Sequence, residues 1–190
     1  TIRLKGDGWA LQPDPIDVVL VIDRSGSMRG QRITDAKAAA KTFVSKMNPA
    51  RDRIGLVSYS TNADLDLPLG DDYSKVNSTV KDLSASGWTA TRQALYLAIQ
   101  EMVAHKNPDP DAVHAVILMS DGEYNYYGDP LARGKGSSKS DWSTTQNDYT
   151  YFSGLGDSQQ NMAVYAKNNS NSVRLYMISF SNDITENSTT

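Results

Sequence analysis

Apolar and polar residues alternate along the chain in blocks that predict strands and helices in turn. Ile16–Ile22 is an apolar run interrupted by one aspartate, which is typical of a strand covered on both faces. Apolar residues then recur at steps of three and four over residues 33–47, which predicts an amphipathic helix. Ile54–Tyr59 predicts a second buried strand. Residues 63–69 alternate between apolar and polar, so they are expected to form a half-exposed edge strand joined to it by a hairpin.

The remaining sequence continues the alternation of strands and helices. Residues 76–83 and 94–103 predict two helices, and Val113–Met119 predicts another buried strand. Residues 159–167 predict a last helix, which leads to a strand at Val173–Phe180. This order predicts an α/β fold: a doubly wound, mostly parallel sheet with one antiparallel edge strand and helices on both faces.

Two segments stand outside this alternation. Residues 1–15 contain several glycines and prolines and are expected to be a lead-in. Residues 124–158 form a long loop insertion, far above the usual connection of roughly 4–6 residues. We therefore predict one domain over residues 16–181 that carries this insertion, followed by a tail at 182–190.

Composition narrows the class of protein. A chain of 190 residues with 39% hydrophobic residues can bury one sizeable core. The formal charge of −3 argues against nucleic acid as a partner, because affinity for phosphate backbones needs clustered Lys and Arg. No apolar run approaches the roughly 18 residues of a transmembrane segment. The absence of cysteine excludes disulfides and thiolate metal sites, and it leaves the compartment open.

Oxygen-bearing side chains follow the predicted strands. Asp23, Ser25 and Ser27 come after the first strand, Asp121 comes after Val113–Met119, and Thr89 precedes a helix. Ligands of open parallel sheets bind beyond the carboxyl ends of the strands, so we expect these five side chains at one edge. In an extended loop, residues two apart face the same side, which would let the oxygens of the first three converge. Such a set suits Mg²⁺, Mn²⁺ or Ca²⁺ and fits zinc or copper poorly.

Nucleotide-binding, hydrolytic and purely structural roles for these residues have weaker support. The chain lacks the glycine patterns of dinucleotide-binding turns and phosphate-binding loops, and the G-x-S-x-G turn of hydrolases. Singly, each residue could be a helix cap or part of an ordinary turn. A phosphatase with an aspartate nucleophile usually has a second acid two residues later, where this chain has Ser25. The two histidines, His105 and His114, are expected to be structural.

Three short motifs together resemble the von Willebrand factor type A domain and its metal-ion-dependent adhesion site. They are Asp23-Arg24-Ser25-Gly26-Ser27, Gly87-Trp88-Thr89-Ala90-Thr91 and Ser120-Asp121-Gly122-Glu123. The resemblance covers roughly Pro15 to Phe180. It implies that one divalent cation, Mg²⁺ before Mn²⁺ or Ca²⁺, is bound by Asp23, Ser25, Ser27, Thr89 and Asp121. It also implies that the hydroxyls can bind directly while the aspartates often act through water. The family usually adds one more helix and strand, so either this chain is part of a larger polypeptide, which is the expectation, or another segment completes the sheet.

The resemblance also predicts what the site does. Hydroxyl ligands are neutral, so the cation would remain a strong Lewis acid that can take up a Glu or Asp carboxylate of a partner protein or peptide. We therefore expect a non-enzymatic adhesion module on the cell surface or outside the cell. An intracellular assembly subunit of a chelatase-like complex and a Mg²⁺-dependent phosphotransfer enzyme are the alternatives. Aromatic residues near the site are the candidate partner contacts: Trp88, Tyr124, Tyr126, Tyr127 and Trp142. The alternatives are a mobile or partner-covered insertion and a packing role for Trp88.

Overall fold

The computed structural model describes residues 13–122, 128–132 and 151–181. Over these residues, five strands alternate with four α-helices. The strands are β1 (Ile16–Asp23), β2 (Arg53–Tyr59), β3 (Ala63–Gly70), β4 (Val113–Ser120) and β5 (Arg174–Ser179). The helices are α1 (Gln31–Val44), α2 (Tyr73–Asp82), α3 (Thr91–Ala104) and α4 (Met162–Lys167).

The strands form one sheet in the order β3-β2-β1-β4-β5. β1 pairs in parallel with β2 and with β4, and β4 pairs in parallel with β5. Only β3 is antiparallel among the described strands, and it is joined to β2 through a short turn. The predicted fold class is thus confirmed. Because the chain leaves β1 toward β2 and later returns to its other side at β4, a crevice is expected where the carboxyl ends of β1 and β4 meet.

Both faces of the sheet are covered, as the unbroken apolar strands predict. On one face, Val19 and Val21 pack with the buried residues of α3 and α4. On the other face, Leu20 and Ile22 pack with α1 and α2. Each of these β1 side chains is fully buried, and burial of one such side chain stabilises the fold by about 1.5–3 kcal/mol. This core fixes the strand ends relative to one another.

Some element boundaries differ from the sequence prediction. The helix predicted to reach residue 47 ends at Val44, because the next backbone bonds tighten to the i−3 pattern, as in Met47 N to the Val44 oxygen at 3.2 Å. The predicted helix over 159–167 is divided into a 3₁₀ turn at Asp157–Gln160 and α4. The division falls at Asn161, whose side chain caps α4 by accepting the backbone N–H groups of Ala163 and Val164.

β5 lies at one edge of the described sheet, with β3 at the other, and its side chains are largely exposed. Tyr176 and Met177 are 51% and 52% exposed, whereas the equivalent apolar residues of β1 are buried. Among the described helices, none is both long and apolar enough to cross a membrane.

Candidate metal and partner-binding site

Asp23 is the last residue of β1, and its buried carboxylate joins three strands. Its Oδ1 accepts the backbone N–H of Ser25 at 2.8 Å. Its Oδ2 accepts the Ser120 hydroxyl at 2.7 Å and the Tyr59 hydroxyl at 3.1 Å. Burial raises the pKa of Asp23, and the hydrogen bonds from Ser25 and Ser120 partly oppose this effect. The side chain is therefore fixed at the carboxyl edge by β2 and β4 as well as by its own loop.

The two serines after Asp23 come together, although not in the way that the sequence predicts. The expected extended loop is wrong: Ser25 is extended, and Gly26–Met28 then form a 3₁₀ turn. The turn nevertheless places the hydroxyls of Ser25 and Ser27 3.0 Å apart. Ser25 is buried and Ser27 is half-buried. Two neutral oxygens thus lie side by side next to the buried carboxylate of Asp23.

The segment before α3 is fastened against this serine turn. The Gly87 carbonyl accepts the backbone N–H of Gly26 at 2.9 Å. Gly87 has a φ of +79°, a conformation that favours glycine. Ala90, three residues later, donates its N–H to the Ser60 carbonyl at 2.8 Å. Thr89 lies between these two anchor points and is half-buried.

Asp121 follows directly after β4, and its side chain is fully buried. Its Oδ2 accepts Nη1 of Arg32 at 2.8 Å, and the same nitrogen donates to the Ser27 carbonyl at 3.1 Å. Arg32 thereby connects the first and third predicted segments. The negative charge of Asp121 also contributes to the raised pKa of Asp23. The two carboxyl groups therefore act on each other electrostatically.

The predicted site residues do not serve as helix caps. The residue preceding α1 is Gly30 and the residue preceding α3 is Ala90, and neither helix has a side-chain cap. The histidines lie away from these residues: His105 follows the end of α3, and His114 is near the start of β4. They lie at the opposite edge of the sheet from the predicted site residues.

The aromatic partner-contact candidates are only partly covered by the structure. Trp88 is 60% exposed beside Thr89, which suits a contact residue better than a packing residue. Tyr124, Tyr126, Tyr127 and Trp142 lie outside the described residues. The described ends of the insertion contact the start of α3.

One end of the insertion meets the Thr89 segment directly. A Cβ at Gly128 would overlap the Thr89 carbonyl, so only a glycine allows this approach. The other end is attached through Phe152, whose ring is stacked on Tyr96 with centroids 4.0 Å apart. Just after the insertion, Gln160 Oε1 accepts a hydrogen bond from Nη2 of Arg92 in α3 at 2.7 Å. The described ends of the insertion are therefore held against the helix that begins beside Thr89.

Sequence reasoning did not identify three residues that organise the site: Tyr59, Arg32 and the Ser120 side chain. Tyr59 ends an apolar strand, so its pattern indicates only core packing. Arg32 carries a weak signal, because a basic residue in the first turn of a helix opposes the helix dipole. Ser120 belongs to the third motif, but a serine before Asp-Gly is common in turns.

The donor set fits a hard cation. Among the described residues, no group of three or more His, Asp or Glu side chains gathers as a metal centre, so a cation here would depend on hydroxyl oxygens as well. The oxygens of two buried aspartates and two adjacent serines provide such a set. The guanidinium on Asp121 also shows that this edge accommodates positive charge.

Comparisons with known proteins agree with the fold. The family model of the von Willebrand factor type A domain matches residues 17–189. An uncharacterized protein of Synechocystis is 31% identical over 117 residues, covering 60% of this chain and 27% of that protein. Human inter-alpha-trypsin inhibitor heavy chain H4 is 30% identical over 117 residues, covering 57% of this chain and 12% of that protein. The chain thus spans less than a third of the length of either relative.

Solved structures also agree with the fold. The von Willebrand factor domain of the type V pili tip protein Mfa5 from Porphyromonas gingivalis is 33% identical, with a TM-score of 0.53. The match covers 60% of this chain and 40% of that one. BatB from Bacteroides thetaiotaomicron matches 88% of this chain and 92% of its own with a TM-score of 0.55, and at 19% identity it supports the fold alone.

Proposed function

Since this chain belongs to the von Willebrand factor type A domain family, we propose that it is a metal-dependent protein-binding module. It holds one divalent cation, Mg²⁺ in preference to Mn²⁺ or Ca²⁺, and captures a Glu or Asp side chain of a partner protein. The observation that carries the proposal is the meeting of Asp23, the Ser25–Ser27 hydroxyl pair and Asp121 at one edge of the sheet.

In this proposal, the residues present divide into two kinds. The hydroxyls of Ser25, Ser27 and Thr89 are neutral ligands, and the carboxylates of Asp23 and Asp121 supply the negative charge. A cation bound here would act as a Lewis acid toward an incoming carboxylate. The protein's own contribution is to fix the Asp23 carboxylate, through its bonds from Tyr59 and Ser120.

The proposed location is the cell surface. It is supported by the similarity to a pilus tip protein, whose matched domain is 33% identical to this chain. An exposed Trp88 beside the proposed cation site would suit contact with a partner, because Trp is a frequent anchor in protein interfaces. A phosphotransfer role is not supported, since both histidines lie at the opposite edge of the sheet and Ser25 stands where a second acid is expected.

Metal binding is tested by titrating the purified protein with Mn²⁺ and following water proton relaxation. We expect wild-type protein to bind one Mn²⁺ per chain, in competition with Mg²⁺. Asp121→Asn and Ser27→Ala should each weaken binding at least about tenfold, because each removes an oxygen donor or its charge. Asp35→Ala, which removes an exposed carboxylate from α1, is the matched control and should bind as wild type does.

Capture of a carboxylate is tested separately. Random peptides displayed on phage are bound to the immobilised protein in Mg²⁺ and eluted with EDTA. We expect the eluted peptides to share an Asp or Glu whose exchange for Asn or Gln abolishes binding. Binding that persisted in EDTA, and to the Asp121→Asn protein, would contradict the proposed function.

A further inference from the structure

Arg32 occupies an unusual position for a basic residue. It is the second residue of α1, where the helix dipole favours acidic side chains, and the first turn of α1 contains none. Its side chain is 32% exposed and extends to the fully buried carboxylate of Asp121. Its Nη1 lies 2.8 Å from Asp121 Oδ2 and 3.1 Å from the Ser27 carbonyl oxygen. Helix geometry alone does not account for a positive charge at this point.

We infer that Arg32 is an exchangeable counter-charge of the cation site, one that pairs with Asp121 when no divalent ion is bound and lowers the affinity for that ion. The inference rests on the proposed function, because it concerns the same site. Arg32 itself lies outside the three motifs that identify the site.

Asp121 needs a counter-charge because its carboxylate is buried. A buried carboxylate is stable as an anion only when a positive charge or several donors face it. Arg32 supplies a charge-assisted hydrogen bond of this kind and ties Asp121 to the backbone of the serine turn. The contact therefore holds the serine turn against the third segment.

A divalent cation at the same oxygens would compete with this contact. Both positive charges are attracted to Asp121, and at short range they repel each other. Binding of the ion must therefore weaken the Arg32–Asp121 pair, and by reciprocity the pair must weaken binding of the ion. Arg32 has a path away from the site, because part of its side chain is already exposed.

The first measurement uses chelator-treated protein and thermal unfolding. Arg32→Gln should lower the melting temperature by roughly 3–8 °C, because Asp121 loses its counter-charge. Arg29→Gln is the matched control: Arg29 is an exposed arginine three residues earlier, and its Nε donates to the Ala85 carbonyl at 3.3 Å. Its exchange should change the melting temperature little.

The second measurement adds Mg²⁺ and records the concentration that gives half of the stabilisation. Arg32→Gln should bind Mg²⁺ at least about fivefold more tightly than wild type. Arg32→Lys loses the planar guanidinium but keeps the positive charge. Because the charge opposes the cation, the Mg²⁺ affinity of this variant should remain near that of wild type. Under saturating Mg²⁺, the melting temperature of Arg32→Gln should approach that of wild type.

The outcomes are distinguishable. Equal or weaker Mg²⁺ affinity of Arg32→Gln, with a wild type that binds Mg²⁺, would overturn the role of Arg32 and leave the proposed function standing. A melting temperature of Arg32→Gln equal to that of Arg29→Gln in chelator would overturn it as well. A wild type that does not respond to Mg²⁺ would contradict the proposed metal site and the exchange together.

Discussion

At the scale of single residues, Tyr59 shows how the core supports the candidate site. Its hydroxyl donates to Asp23 and accepts the Thr91 hydroxyl at 3.3 Å, so it links β1 with the first residue of α3. Burial and the negative charge of Asp23 raise the pKa of Tyr59 well above its usual value. The phenol therefore stays protonated at physiological pH and can always donate. It is suited to positioning Asp23 without competing for a cation.

Replacement of Tyr59 by Phe tests this positioning role. The variant keeps the ring in the core and removes only the hydroxyl, with its bonds to Asp23 and Thr91, so we expect a folded protein whose Mg²⁺ affinity is lower by about tenfold. Tyr73→Phe is the control, because its hydroxyl bonds to the Asp52 carbonyl away from the site. Both variants are compared by Mg²⁺ titration with thermal unfolding as readout. Equal affinities of the two variants would show that Tyr59 serves packing alone.

The sequence predicted which oxygen-bearing side chains lie at the carboxyl edge of the sheet. It did not predict which residues hydrogen-bond to them there. Asp23, Ser25 and Asp121 carry a signal as a set, since oxygen-bearing side chains follow the ends of two apolar strands. Tyr59 carries no such signal, because an aromatic residue in a strand is ordinary, and Arg32 carries only the weak signal of a basic residue in the first turn of a helix. Tyr59 bonds to Asp23, 36 residues away in the chain, and Arg32 bonds to Asp121, 89 residues away. These residues come into contact only when the chain folds.

At the scale of elements, apolar periodicity was sufficient to predict the strands and helices, because these elements are defined by burial of one or both faces. The serine turn was not predictable in this way. Its 3₁₀ geometry depends on contacts with another segment, such as the bond from Gly26 N–H to the Gly87 carbonyl. The exposure of β5 is likewise set by its place at the edge of the sheet, which follows from strand order and not from local sequence.

Gly87 tests whether the segment before α3 positions Thr89. Alanine at this position would adopt an unfavourable positive φ, and its Cβ would lie 2.7 Å from the Thr61 hydroxyl oxygen. We expect Gly87→Ala to lower the free energy of unfolding by about 1–3 kcal/mol and to weaken Mg²⁺ binding, since Thr89 moves with the segment.

Gly70→Ala provides the control for this substitution. A Cβ at Gly70 would have its nearest neighbour at 3.9 Å, so the fold can accept it. Urea unfolding gives the stability of both variants, and Mn²⁺ relaxation gives their affinity. If Gly87→Ala lost stability but bound Mn²⁺ as Gly70→Ala does, Thr89 would not depend on this segment.

At the scale of the whole molecule, the two edges of the sheet have different roles. The carboxyl edge carries the candidate site. The amino edge carries a buried aspartate, Asp17, which accepts a bidentate pair from Arg53 at 2.9 and 2.6 Å. Nε2 of His114 lies 3.8 Å from the same carboxylate. The apolar core separates these two groups of charges, so a change at the amino edge is expected to alter stability without altering the site.

His114 makes this separation testable through pH. Burial lowers the pKa of His114 below its usual 6.5, the charges of Lys106 and Arg53 add to the effect, and Asp17 opposes it. The unfolded chain therefore binds more protons than the folded one as pH falls through 6.5, so stability must fall toward acid pH and is greatest above this range.

We expect the melting temperature of the wild-type protein to decline between about pH 7.5 and 5.5, because His114 is harder to protonate in the folded state. The melting temperature of His114→Gln should decline less. Mg²⁺ affinity at pH 7.5 should be the same in wild type and His114→Gln. A His114→Gln slope equal to that of wild type would show that other groups set the acid sensitivity.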